Sequence, residues 1–230
     1  MADSALAARI ENVRHRIALA AARSARPAES VQLVAVSKRY PAEAVREAHA
    51  LGLRTFGENY AQELVAKAAE VGALPGIAWH MIGHLQTNKA RTVAPVAACV
   101  QTIDSAHLAA ELARRAARAD RILDVLLEVN VAGDPAKSGC APTGVGPLID
   151  AVLGEGPTLR LRGLMTMPPA TDDPERARPI FAELRGLQRL HGGPARLPEL
   201  SMGMSDDFEI AIEEGATIVR VGTALFGGRK

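Results

Sequence analysis

The chain has 230 residues, 48% of them hydrophobic and 3% aromatic, enough for one sizeable globular body whose core must be built from Ala, Val, Leu and Ile. With 27 basic and 26 acidic residues its net charge is +1, a balance that gives no electrostatic reason to expect nucleic acid or an anionic membrane as a partner. Charges interrupt the N-terminal segment and no apolar run is long enough to span a bilayer, so neither a secretory signal nor a membrane span is expected.

Leu6, Ile10, Val13 and Ile17 recur at spacings of three and four behind Ser4, which predicts a capped amphipathic helix ending before Pro27. Val31–Ser37 then reads as a short β-branched strand followed directly by Lys38, and Pro41 opens a helix through Ala42–Leu51 that Gly52 closes. The unit repeats. Leu53–Phe56 is a second strand leading to Glu58 and Asn59, with a helix over Ala61–Val71. Ile77–Ile82 is a third, and its helix is cut by Pro95. Cys99–Ile103 and its helix Ser105–Ala119 come next, then Ile122–Asn130, the loop carrying Lys137, and a helix over Thr143–Leu153. Leu161–Met167 is followed by Pro174–Leu190. Glu199–Met202 is a poor strand by propensity but falls in rhythm, and Asp206–Glu214 and Thr217–Val221 close the series.

Eight strands alternating with helices predict a single (β/α)8 TIM-type barrel with an extra N-terminal helix, residues 1–26 for that helix and 31–227 for the barrel, in one domain over 1–230. Strands buried on both faces explain the near-continuous apolar runs. An open doubly wound sheet is the alternative, but no G-x-G-x-x-G follows the first strand. Cys99 and Cys140 lie outside any metal-binding spacing; a reduced cytoplasmic chain is expected, a disulfide being the alternative.

Barrel chemistry gathers where strands end. The residues at those ends are polar: Lys38, Glu58 and Asn59, His80 and His84, Asp104, Asn130, Thr166, Ser201, and Arg220 with Gly222-Thr223 beyond it. Lys38 leaves a rigid apolar strand with its amine at the barrel mouth. An amine held partly out of water there suits attack on an aldehyde, and a snorkelling lysine is the competing reading. Ser201-Met-Gly203-Met-Ser205 and Gly222-Thr223-Ala224 offer hydroxyls and free amides near the last two strands, a phosphate cradle typical of this fold. Asp206 and Asp207 read as acids favouring the first turn of the following helix.

Arg220 stands between Val219 and Val221 and needs a partner or a ligand, Glu199 and Asp104 being the internal candidates. A pyridine ring spanning Lys38 to the cradle would meet Arg220 at its nitrogen. A guanidinium donates a hydrogen bond there without readily protonating the ring, so deep carbanions would be poorly stabilised. His80 and His84 share no helical face and lack the glutamate of H-E-x-x-H, so no metal is expected. Asn59, Gln86 and Asn88 are candidate pocket donors, and Met81, Met165 and Met167 core or pocket filler.

Val34-Ala-Val-Ser-Lys38, Phe56-Gly-Glu-Asn-Tyr60, Trp79-His-Met-Ile-Gly-His-Leu-Gln-Thr-Asn-Lys89, Leu200-Ser-Met-Gly-Met-Ser205 and Val219-Arg-Val-Gly-Thr-Ala-Leu-Phe-Gly227 resemble, in order along the chain, the pyridoxal phosphate homeostasis protein family. The resemblance implies the barrel of the alanine racemase N-terminal domain with pyridoxal 5'-phosphate held as an aldimine on Lys38. It further implies Ser201, Gly203, Gly222 and Thr223 around the phosphate and Arg220 at the pyridine nitrogen. Asn59 would lie nearby, with His84, Met167 and Lys137 as further candidates, Lys137 matching a lysine implicated in cofactor handling. The implied role is binding, buffering or delivery of the cofactor without robust turnover, by a monomer that meets recipient apoenzymes transiently. The alternative is a small racemase or decarboxylase with His84 or Tyr60 as second acid. Against it, Tyr40 and Tyr60 sit in early loops, and neither is placed as the opposite-face acid of a two-base racemase.

Overall fold

Eight short parallel segments pair in chain order and the last returns to the first, closing a barrel. In the computed structural model, which describes residues 2–228, the strands are β1 (Gln32–Val36), β2 (Thr55–Glu58), β3 (Ala78–Met81), β4 (Cys99–Ile103), β5 (Leu123–Glu128), β6 (Leu159–Met165), β7 (Glu199–Ser201) and β8 (Ile218–Val221). The outer layer comprises α1 (Ala2–Arg23), α2 (Ala42–Ala50), α3 (Ala61–Val71), α4 (Ala90–Val93), α5 (Ala106–Arg118), α6 (Val145–Gly154), α7 (Arg178–Leu190), α8 (Gly193–Arg196), α9 (Phe208–Glu213) and α10 (Thr223–Phe226). Closure runs from Gln32 opposite Ile218 to Ala35 opposite Val221.

Strand residues alternate between the two faces of the barrel wall. Val34, Cys99, Leu126, Met165 and Ile218 form an inner apolar cluster separate from the main core. Two residues further along three of those strands stand Gln101, Glu128 and Arg220, all buried. An apolar layer thus carries a polar one nearer the strands' C-terminal ends. Val219 and Val221 face the other way, into the larger core between barrel and helices.

The stripe predicted for the first helix is buried: Leu6, Ile10, Val13 and Ile17 pack α1 onto α9 and α10. The Arg16 guanidinium lies 4.5 Å from the centre of the Phe208 ring and pairs with Glu209. Ser4, expected as the cap, falls within the range of α1, and its side chain lies outside the described residues.

Several boundaries differ from expectation. β2 runs two residues later than predicted, because Gly57 and Glu58 continue the ladder opposite His80 and Met81. β6 starts two residues earlier, its Arg160 and Arg162 pairing with Asp124 and Glu199 on the neighbouring strands. The predicted helix over Pro174–Leu190 is a 3-10 turn at Pro174–Ala177 followed by α7, and α8 and α10 were not foreseen. Both cysteines are free, Cys99 within the barrel. Among the described residues, no helix is long and apolar enough to cross a membrane.

Candidate functional site

At the C-terminal ends of the strands a cavity of about 190 Å³ is lined by Lys38, Asn59, Met167, Ser205, Arg220, Gly222 and Thr223, with Val36, Ile82, Met204 and Asp206 completing it. β1 delivers Lys38 to one part of this wall. β8 and the turn into α10 deliver Arg220, Gly222 and Thr223. A larger groove lined by His107, Glu111 and Arg114 lies on the outer helical layer, away from the strand ends where barrel chemistry gathers.

Two backbone amides, those of Gly222 and Ala224, converge on a single oxygen, Ser205 Oγ, at 3.3 and 3.2 Å. Two N–H groups aimed at one point, beside two hydroxyls, are a donor set that suits an anionic oxygen. Gly222 also comes close to β1: a Cβ built there would sit 3.4 Å from Val36.

Arg220 is 2% exposed. It donates to Ser201 Oγ at 2.6 Å and to the Thr166 carbonyl at 2.8 Å. The internal ion pair considered for it does not form, since Glu199 is paired with Arg162 and Asp104 with His84. Burial pushes its pKa down to about 10, and Asp207 and Glu128 act in the opposite direction, so it remains a cation at neutral pH. Ser201 Oγ in turn donates to Gln101 Oε1 at 2.6 Å, and Gln101 Nε2 lies 2.9 Å from His80 Nδ1. A chain of polar groups therefore crosses the barrel beneath the cavity. Burial pushes His80 down to about 4, and as a neutral ring it accepts the Gln101 proton at Nδ1.

The remaining expected residues fall as follows. Ser201 is fully buried, donating to Gln101 and accepting from Arg220, and Ser205 stands at the cavity wall. Gly203 is absent from the lining; its φ of +94° and the 2.6 Å between a built Cβ and Ala211 Cβ mark it as the point where the loop presses on α9. Asp207 does not cap the first turn of α9 with its side chain; its carboxylate turns back to accept from the Met204 amide at 2.6 Å.

His84 lines an adjoining pocket with Tyr60, Gln86 and Lys89, and Asn59 borders both. Asn88 is on neither wall. Lys137 Nζ donates to the Met167 and Pro168 carbonyls at 2.9 and 2.6 Å, tying the loop after β5 to the segment that supplies Met167. Burial holds its pKa below the usual lysine value.

Sequence reasoning passed over two buried groups. Glu128, 3% exposed, accepts from Ser138 Oγ, and burial raises its carboxyl. Gln101 follows the inward Cys99 by two residues on β4, and a polar residue at that place in a strand was the available signal. Among the described residues no cluster of His, Cys, Asp or Glu is arranged to hold a metal ion.

The family model of the alanine racemase N-terminal domain matches residues 9–230. A protein of Pseudomonas aeruginosa named pyridoxal phosphate homeostasis protein is 48% identical over 98% of this chain and 96% of its own. Among solved structures, one from Bifidobacterium adolescentis superposes with a TM-score of 0.88 at 37% identity, covering 97% of this chain and 95% of that one. PipY of Synechococcus elongatus, solved with PLP bound, superposes at 0.78 with 40% identity over 94% of this chain and all of that one.

Proposed function

The chain belongs to the pyridoxal phosphate homeostasis protein family, built on the alanine racemase N-terminal domain, and from that premise we propose that it binds pyridoxal 5'-phosphate at the strand ends, joined to Lys38. One observation carries the reading of the site: an amine, the Gly222–Thr223 turn and the Ser205 hydroxyl open onto the same cavity, with a buried guanidinium in its wall and the Gly222 and Ala224 amides converging on Ser205 Oγ. The cofactor supplies an aldehyde, with which a lysine amine condenses with loss of one water. Lys38 is the amine in reach. Gly222, Thr223, Ser205 and the Ala224 amide receive the phosphate, and Arg220 offers an N–H toward the ring nitrogen. Asn59 and Met167 border the ring. Ser201 and Gly203 act from outside the lining, the first by holding Arg220 and the second by shaping the loop that carries Ser205. Lys137 steadies the Met167 segment, and His84 stands one pocket away.

The function is cofactor binding in the service of its homeostasis or delivery. A racemase would need an acid facing Lys38 across the ring. The Tyr40 hydroxyl is occupied by the Gly227 carbonyl at 2.6 Å, and Tyr60 lines the adjoining pocket. The free cysteines support a cytoplasmic location. The single closed barrel supports one domain over 1–230, and the reading is completed by a monomer that meets recipient apoenzymes transiently.

Freshly purified protein should show a visible absorption band that borohydride abolishes, with the reduced pyridoxyl group mapped to the Lys38 peptide. Lys38→Ala should lose that band. Full stoichiometric cofactor retained by Lys38→Ala would overturn the assignment.

A further inference from the structure

Directly behind Lys38 lies a buried ionic cluster that the binding site above does not use. Lys67 on α3 is 6% exposed, and its Nζ donates to Glu58 Oε1 at 2.6 Å, to the Ser37 carbonyl at 2.7 Å and to Glu63 Oε1 at 2.9 Å. An ammonium has three protons, so this one is saturated and does not compete with Lys38 for an aldehyde. Glu58, fully buried at the end of β2, also accepts from Ser37 Oγ at 2.7 Å, while its Oε2 has no partner among the described residues. Glu63 Oε1 accepts in addition the backbone N–H of Arg39.

The contacts fall on both sides of one residue. Ser37 is held by its hydroxyl and its carbonyl, Arg39 by its amide, and Lys38 stands between them. Arg39 has φ +63°, a left-handed conformation uncommon for a residue with a side chain and kept where surrounding contacts over-determine it. The Glu63–Arg39 bond is such a contact. A cluster that served only to fasten α3 to the barrel would have no need to take both neighbours of Lys38 as partners.

We propose that Lys67, with Glu58 and Glu63, is a positioning device that locks the Ser37–Lys38–Arg39 turn and so aims the Lys38 amine into the cavity. The proposal rests on the reading of Lys38 as the cofactor's anchor, and it gives a task to three residues which that reading leaves idle. Loss of the cluster should uncouple covalent capture from phosphate recognition, because the converging amides of Gly222 and Ala224 stand just after β8 and on α10, outside the turn.

The test uses the full chain in three forms: wild type, Glu58→Gln/Lys67→Met, which removes the buried charges together, and Glu63→Gln, which alters the partly exposed member and guards against misfolding of the first. Each is titrated with pyridoxal 5'-phosphate, and separately with pyridoxine 5'-phosphate, which carries the phosphate and ring without the aldehyde. Capture of the aldehyde should weaken about tenfold in the double variant and about threefold in Glu63→Gln, with affinity for the alcohol analogue unchanged. Without any ligand, hydrogen exchange at the Arg39 amide should accelerate in both variants while that of the β5 amides holds.

Equal losses for both ligands, or capture at the wild-type level, would overturn the proposal. So would exchange that rises across the whole chain or stays unchanged at Arg39. A wild-type chain that bound neither ligand would instead remove the cofactor reading, and the exchange measurement would still decide whether the cluster orders the turn.

Discussion

Arg220 shows how much a single buried side chain depends on its neighbours. Its protons go to Ser201 and Thr166, which obliges the Ser201 proton to point at Gln101 Oε1 and the Gln101 amide to point at His80. Each member fixes the orientation of the next, and such chains are costly when one link is missing. Gln101→Leu would remove the acceptor for Ser201 and the donor for His80 Nδ1 in a region closed to water. The expected loss is about 1–3 kcal/mol in urea unfolding, together with weaker retention of the cofactor as Arg220 loses its alignment. A variant as stable as wild type, with unchanged retention, would show that the chain of bonds is incidental. Lys67 makes the same point at the neighbouring strands β1 and β2: Glu63 and Lys67 at i and i+4 look in the sequence like an ordinary solvated helix pair, yet the lysine is buried.

At the scale of elements, Gly203 joins β7 to α9. Its φ of +94° lies where side chains are strained, and a built Cβ would sit 2.9 Å from the Phe208 Cα as well as against Ala211. The backbone must move to admit one, so Gly203→Ala should cost about 1–3 kcal/mol and displace Ser205 from the cavity wall. The expected result is a lower melting temperature and weaker binding of pyridoxine 5'-phosphate; unchanged values for both would refute it. The resemblance implies Gly203 beside the phosphate, and the structure adds that a helix packs closely against it.

The order of strands and helices was legible because apolar runs and Pro or Gly breakers punctuate the chain at a steady interval. Lys38, Arg220 and the Gly222 turn were legible because polar residues stand out at the ends of such runs. Ser201 was legible as a hydroxyl at a strand end but its partners were not, since Gln101 reaches it from β4 and Arg220 from β8. Glu58 was legible as a polar strand end but not as a buried one, because a buried carboxylate carries no mark in the sequence and its partner Lys67 lies on the following helix. α10 is four residues long, too short for any periodicity to announce it.

The whole molecule carries these buried groups into its response to acid. His80 takes a proton at about 4 in the fold and at roughly 6.5 in an unfolded chain. Between those values the unfolded chain binds a proton that the fold refuses, so the stability present above the upper value is lost as pH falls toward the lower, up to roughly 3 kcal/mol for a shift of this size. Glu58, Glu128 and Asp207 run the other way. Burial raises each of them in the fold, so the fold takes up their protons before the unfolded chain does, and stability returns as pH falls through their raised values. The exposed glutamates that arginines hold low, Glu111 and Glu175, begin to matter only below about 4.5. A window from about pH 6.5 down to about 5 lies above those exposed glutamates and between the two values of His80. Urea unfolding across that window should show the wild type losing stability relative to His80→Asn as pH falls. In His80→Asn, which keeps an oxygen to accept from Gln101 but has no ring to protonate, stability should hold level or rise. Equal slopes for the two proteins would mean that His80 is open to water and that the polar layer under the cavity is not sealed.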